Sequence, residues 1–370
     1  MNQRLYVGTR KGLFTLERQT NGHYSLGTVA FLGDPITMML SDPRDGALYA
    51  AVGHGHFGAK LHRSRDAGST WNECATPKYP PKPDGLVELD PIRNTPIPWS
   101  VDTVWSMETG GADEPGALWL GTIPGGLFKS PDGGDTWALA RTLWDDPLRP
   151  RWSGGGADFA GIHSICVDPR DARHLTVAVS TGGLWQTTDG GESWRNIGRG
   201  LRNAYMPPDL WHDPVAQDVH RLVRCPAQPD ALWIQHHNGI FRSRDNAQNW
   251  TEIEAAPSSF GFAVAVHPRD GNTAYFVPAK KDQWRVPVDA QVVVTRTRDG
   301  GQTFESLRKG LPQEHAYDLV YRHGLDIDAT GDRLAFGSTT GSLWVTDNEG
   351  ADWHAVSHHL PPIYCVRFGR

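Results

Sequence analysis

Two histidines and two aspartates, His163, His220, Asp102 and Asp318, are the residues of this 370-residue chain whose types and spacing are best suited to chemistry. Imidazole nitrogen and carboxylate oxygen are ordinary ligands of zinc, manganese or iron, and the same groups act as general acids and bases. A cation held by them would acidify a water or polarise a carbonyl or phosphoryl oxygen. A shared offset groups these residues. In four segments a Pro turn follows an apolar run, at Asp42-Pro43, Asp168-Pro169, Cys225-Pro226 and His267-Pro268. The residue five places before each turn's first member is Thr37, His163, His220 or Phe262. Three segments lack that proline and align on apolar pattern, which gives Asp102, Asp318 and Tyr364. One ring of positions then reads Tyr364, Thr37, Asp102, His163, His220, Phe262, Asp318. The alternative for this ring is a water-filled channel whose lining residues bond only to one another.

Further candidates gather around the same ring. His54 and His56 sit in Gly53-His-Gly-His-Phe-Gly58, His236 and His237 hold the equivalent place three units on, and His315 precedes the Asp318 segment. An insertion from Pro278 to Gln291 adds Lys280, Lys281, Trp284 and Arg285, cations able to grip a carboxylate or phosphate, or else a hairpin tip facing water. His56, His237, His315, Lys281, Trp284 and Arg285 are assigned to substrate binding. Trp99, Trp144, Trp152 and Trp211 lie in long links, as platforms for sugar rings or as pins for the loops. The four ring residues are the expected metal ligands or catalytic groups.

What must position them is a repeat. Ser/Thr-x-Asp-x-Gly-x-Thr-Trp recurs six times, from Ser64, Ser130, Thr187, Ser243, Thr297 and Thr346, closing on Trp71, Trp137, Trp194, Trp250, Phe304 and Trp353 at intervals of roughly fifty to sixty residues. Within one unit, from Ile162 to Ile197, four short β-prone runs are divided by Pro, Gly and Asp turns, which makes a four-stranded meander. Six such units, and Leu5 to Phe14 as part of a seventh, predict an all-β, seven-bladed β-propeller of four-stranded antiparallel blades, one domain over residues 1–370. The first blade lacks an innermost strand; Ile363 to Phe368 supplies it and closes the ring by joining the C-terminus to the N-terminal blade. Six equivalent sites, five with Asp and the last with Asn348, cannot all be one active site, so the motif is structural, a staple across the turn between third and fourth strands. Strand alternation then puts the candidate residues at the other mouth of the channel, where the long links Asn72 to Val101, Ala138 to Gly161 and Arg195 to Asp218 also lie.

The repeat resembles that of the Asp-box or BNR-repeat proteins, and the whole chain is similar to bacterial seven-bladed members catalogued as sialidase-like or glycosyl-hydrolase-like. That group contains sialidases, xyloglucan-cleaving enzymes, a sortilin receptor domain and a photosystem assembly factor, so the resemblance implies the fold and leaves the activity to the residues. Sialidases carry Arg-Ile-Pro ahead of the first motif. Nothing before Ser64 reads so, and the nearest match, Arg285-Val-Pro287, follows the fourth motif; the resemblance therefore does not imply a true sialidase.

With 36 basic and 42 acidic residues the net charge is -6, without a basic stripe, which argues against nucleic acid and against an anionic membrane surface as partners. The start of the sequence has no leader pattern and the chain reads as cytoplasmic. Cys74, Cys166, Cys225 and Cys365 show no pairing pattern and are expected as buried free thiols. The expectation is a metal-assisted or His/Asp acid-base enzyme, a hydrolase or lyase, for a small or oligomeric polar substrate such as a sugar. The cofactor would be zinc, manganese or iron, with no organic cofactor. The alternative is a non-catalytic binding or assembly propeller for a protein or glycan. A retaining glycosidase needs two carboxyls about 5 to 5.5 Å apart, which Asp102 and Asp318 on separate blades do not promise.

Overall fold

Short apolar runs broken by Pro, Gly and Asp leave little room for a packed helix, and the chain uses them as strands. The computed structural model describes residues 4–369. Among these, 28 strands form seven four-stranded antiparallel sheets, and the α-helix Arg141–Trp144 is a single turn in a link. Blade 4 shows the plan: Ile162–Asp168 innermost, then Asp171–Val179, Gly183–Thr187 and Arg195–Ile197. Blade 1 is composite. Its inner strand is Ile363–Phe368, paired antiparallel with Arg4–Thr9 through Leu5 opposite Phe368 and Val7 opposite Val366. The ring thus closes with the C-terminal strand in the N-terminal blade, as the sequence suggested.

Each blade buries its faces against its neighbours. Leu5, Val7 and Phe14 of blade 1 pack on Ala335, Leu343 and Val345 of blade 7, and Phe336 and Trp344 of blade 7 share a cluster with Tyr275 and Val294 of blade 6. Burying one such side chain stabilises by about 1.5–3 kcal/mol, so the seams between blades hold the ring together. All four cysteines are free and buried.

The repeated motif forms one turn six times. In its first copy the Ser64 hydroxyl donates to Asp66 Oδ1 at 2.8 Å and accepts from the Gly68 amide at 2.8 Å, while Asp66 accepts from the amide and hydroxyl of Thr70 at 2.8 and 2.6 Å. The fifth residue of the motif is Gly68 at φ 89°, a left-handed conformation that a side chain would strain. Bonds from Thr70 and Ser64 hold the Asp66 carboxyl down at about 2. Both carboxylate oxygens of Asp66 are engaged within the turn, which fits a staple.

At the other end of six of the seven inner strands the ladder breaks in a common way, while the described pairing of blade 7 is unbroken. A bulge falls at residue 37 in blade 2, 105 in blade 3, 163 in blade 4, 220 in blade 5, 262 and 263 in blade 6 and 364 in blade 1. The extra residue of a bulge leaves the pleat and re-aims its side chain. Five of these bulges turn a side chain, Thr37, Trp105, His220, Phe262 or Tyr364, toward the central channel.

Candidate active site

The bulges correct the ring of positions read from the sequence. Counted back five from the amide that closes each inner hairpin (Asp42, Gly110, Cys225, His267, Asp328 and Gly369), the layer is Thr37, Trp105, His220, Phe262, His323 and Tyr364, with His163 in blade 4. Asp102 gives way to Trp105 because the hairpin of blade 3 turns later, at Gly110. Asp318 gives way to His323 because the inner strand of blade 7 is Leu325–Ile327; Tyr317 to Val320 has the apolar pattern of a strand but belongs to none. Its buried Leu319 and Val320 explain the misleading pattern.

Six of the seven layer residues form the floor of a pocket of about 570 Å³ at the mouth opposite the repeat turns. The seventh, His163, lies beneath it. Fully buried, it meets Trp105 edge-on with ring centroids 5.5 Å apart, and its Nδ1 is 2.9 Å from the Ser164 hydroxyl. Burial, with Arg322 and Arg221 nearby, pushes its pKa well down, so it is a neutral ring behind the wall.

His220 does reach the pocket. Its Nδ1 is 2.6 Å from the Gly261 carbonyl, which can only accept, so Nδ1 carries the hydrogen and Nε2 presents a lone pair. The ring is 3% exposed and stacks on Phe262 at 4.4 Å and 16°. Burial lowers its pKa to about 3, so it is neutral at physiological pH.

Opposite Nε2, at 3.9 Å, stands Oδ1 of Asp218; Oδ2 of the same carboxylate contacts His237 Nδ1 at 3.2 Å. Asp218 closes the link from blade 4 and His237 follows the second strand of blade 5, Leu232–His236, so a link and a turn meet beside the bulge. Burial raises the Asp218 pKa, but the His237 contact and the surrounding imidazoles outweigh it and hold the carboxyl below the ordinary range. Oδ1 is buried with no hydrogen-bond partner among the described residues. Asp218 was not singled out in the sequence. Its signal was the Asp-x-His step into the inner strand, Asp218-Val-His220, facing the His236-His237 pair.

Arg322 was missed as well. It is 7% exposed and its guanidinium lies 4.8 Å from the Trp105 ring centre and 5.7 Å from that of Phe262. Among the described residues it makes no hydrogen bond or ion pair, and burial lowers its pKa to about 10, still fully cationic at neutral pH. Its donors are thus free for whatever enters. Arg285 lines the same pocket, bonded to Asp282 at 2.6 Å and 5.3 Å from the Phe262 ring.

The remaining sequence candidates divide by position. Asp102 is on the rim of the pocket, exposed, accepting from the Thr103 hydroxyl at 2.8 Å. Asp318 is outside it, bonded to Ser338 at 2.7 Å and to the Thr340 hydroxyl. His56 and His315 are exposed and do not line it, though Gly55 beside His56 does. Lys281 stands 4.5 Å from the ring of Trp284, itself 52% exposed, at the hairpin tip. The structure therefore brings His220, His237, Asp102 and Arg285 to one cavity and leaves His163, Asp318, His56, His315, Lys281 and Trp284 out of it. The link tryptophans are pins: Trp144 and Trp152 are buried, Trp99 donates to Glu88 at 2.9 Å and Trp211 to the Met206 carbonyl at 2.7 Å.

No family model matches the chain. A probable oligoxyloglucan-reducing end-specific xyloglucanase of Neosartorya fischeri is 26% identical over 284 residues, 69% of this chain and 32% of that protein. Among solved structures, an ancestral GH74 enzyme superposes with TM-score 0.56 at 17% identity, over 86% of this chain and 38% of that one. YCF48 bound to D1 peptide does so with TM-score 0.53 at 14% identity, over 86% and 80%. These structural likenesses establish the propeller, and the chain spans about a third of the length of the curated relatives it matches.

Proposed function

We propose that the pocket is the active site of a hydrolase or lyase acting on a small or oligomeric sugar. The observation that carries this is Asp218, a carboxylate with one buried oxygen free of hydrogen bonds, set against two imidazoles in the wall of a cavity of sugar size. Similarity to xyloglucanases makes glycosides the first substrate class to test. In this reading Asp218, ionised at neutral pH, takes a proton from a water or a sugar hydroxyl, and His237 steadies the carboxylate. His220, fixed as the Nδ1–H tautomer, accepts from a second hydroxyl through Nε2. Trp105 and Tyr364 give the sugar an aromatic floor, and Arg322 donates to its oxygens. Asp102, not paired with a cation among the described residues, is the carboxyl on hand at the rim to protonate a leaving group, whereas Asp282 is engaged by Arg285.

A binding propeller is the second reading, favoured by three aromatics exposed around the mouth: Phe57 at 79%, Tyr205 at 60% and Trp284 at 52%. Turnover across glycosides, esters and lactones, measured for wild type and Asp218→Asn, separates the two. Turnover lost in the variant supports the enzyme. No turnover on any panel, with a partner retained through Phe57, Tyr205 and Trp284, supports binding.

A further inference from the structure

We infer that Asp218, His220 and His237 form a site for a divalent transition ion of the zinc type. The inference rests on reading this pocket as the reactive one, and it replaces the four-residue ligand set that the sequence suggested. One ligand atom from each of the three residues can be chosen so that all lie within 4.8 Å of one another. Two nitrogens and a carboxylate are a complete protein ligand set for a catalytic zinc, which keeps its fourth position for water or substrate.

The hydrogen-bond pattern points the same way. Nδ1–H of His220 is committed to the Gly261 carbonyl, the outer bond that usually fixes a metal-binding imidazole and aims its other nitrogen. What Nε2 meets is Asp218 Oδ1, at 3.9 Å. Both atoms are acceptors, neither has a hydrogen to offer, and Oδ1 has no other partner. A buried carboxylate oxygen without a partner, faced by an imidazole lone pair, is unfavourable unless a positive centre or a donor lies between them. Zinc with tetrahedral bonds of about 2.0–2.2 Å holds its ligand atoms about 3.3–3.6 Å apart, so Nε2 and Oδ1 would close by roughly half an ångström and a pair at the 4.8 Å limit by about one, a movement that side-chain rotation supplies.

The setting is also stiff and accessible. Phe262 stacks on His220, the ring of Tyr205 packs edge-on to His237 at 4.1 Å, and the carboxylate and both imidazoles line the open pocket. Arg322, the buried cation nearby, forms no ion pair with Asp218 and is held by Trp105 and Phe262 instead, so the carboxylate remains available. Gly155 keeps space over Oδ1, where a Cβ would stand 3.1 Å away.

The test uses the full chain made without a histidine tag, stripped with a chelator and titrated with zinc by calorimetry and with cobalt(II) by visible absorption. One ion per chain is expected, with a cobalt spectrum of low coordination number. Asp218→Asn and His237→Ala should weaken binding about a hundredfold or more, while Asp318→Asn, outside the pocket, should bind as wild type; thermal unfolding checks that each variant is folded. No stoichiometric binding, or binding that survives both ligand substitutions, overturns the site. Turnover is followed in parallel with and without chelator. Chelator-resistant turnover without metal binding refutes the metal and keeps the enzyme. Metal bound as mapped, with no turnover on any substrate class, keeps the metal and refutes the enzyme.

Discussion

Arg322 is a buried guanidinium without a hydrogen-bond acceptor among the described residues, and in the proposed site the cost of burying it would be offset by ligand binding. A guanidinium taken out of water without an acceptor costs free energy that two aromatic faces only partly return. Arg322→Met should therefore leave unfolding free energy unchanged or raise it by about 1 kcal/mol. The same change should weaken ligand or substrate binding about ten- to a hundredfold, the loss of one or two charge-assisted hydrogen bonds. Chemical denaturation and KM, measured together, check the pair of effects; a destabilised variant with normal KM would make Arg322 a structural residue. His163 and His323 give a second prediction at this scale. Burial and nearby arginines depress both imidazoles well below 6.5, so the unfolded chain binds protons that the folded chain refuses. Their contribution to stability is complete above pH about 6.5 and is lost as pH falls below it. A series of Tm values from pH 7.5 to 4.5 should fall on the acid side, and His323→Gln should flatten part of that fall; a Tm that holds constant over this range would contradict the burial of neutral rings.

At the scale of the element, the repeat turns and the inner-strand bulges differ in how openly the sequence declares them. A turn is local. Its bonds join residues two to four apart, so Ser64, Asp66, Gly68 and Thr70 announce it in any copy, and blade number, strand order and rim followed from counting copies. The sixth copy has Asn348 in place of Asp, and its Oδ1 still accepts the Asp352 amide at 3.0 Å. Asp299→Asn should accordingly lower Tm less than Asp299→Ala, which removes the acceptor for the Thr303 amide as well as its hydroxyl. Equal Tm losses in differential scanning calorimetry would mean the carboxylate charge, and not the acceptor, holds the turn. A bulge is non-local, defined by the partner strand. Where a Pro turn fixed the count, at Thr37, His163, His220 and Phe262, the sequence located it. Without that proline Tyr364 was still located, but in blade 3, whose hairpin turns later, Asp102 was read in place of Trp105, and in blade 7, where an apolar link imitates a strand, Asp318 in place of His323. Asp218 was not legible for a related reason: it sits at the end of a long irregular link, and only the folded ring brings it to His237.

On the scale of the whole molecule, the ring separates the repeat turns and the pocket by rim. One carries six self-satisfied turns; the other carries the bulges, the links and the pocket. Closure is what lets the two mouths differ without leaving an open sheet edge, because Ile363–Phe368 covers Arg4–Thr9. Removing residues 363 onward should expose that edge and the blade 1 to blade 7 seam, so the truncated chain is expected to melt at lower temperature and to self-associate in sedimentation; a monomer of unchanged Tm would show that the seam contributes little. The central claim is that chemistry resides at Asp218. The measurement that tests it most directly is steady-state turnover of xyloglucan oligosaccharides and a broader glycoside panel by wild type and by Asp218→Asn at matched Tm. The account predicts wild-type turnover on at least one member and a loss of about 10²–10⁴-fold in kcat for the variant. Turnover by Asp218→Asn at the wild-type rate would contradict it.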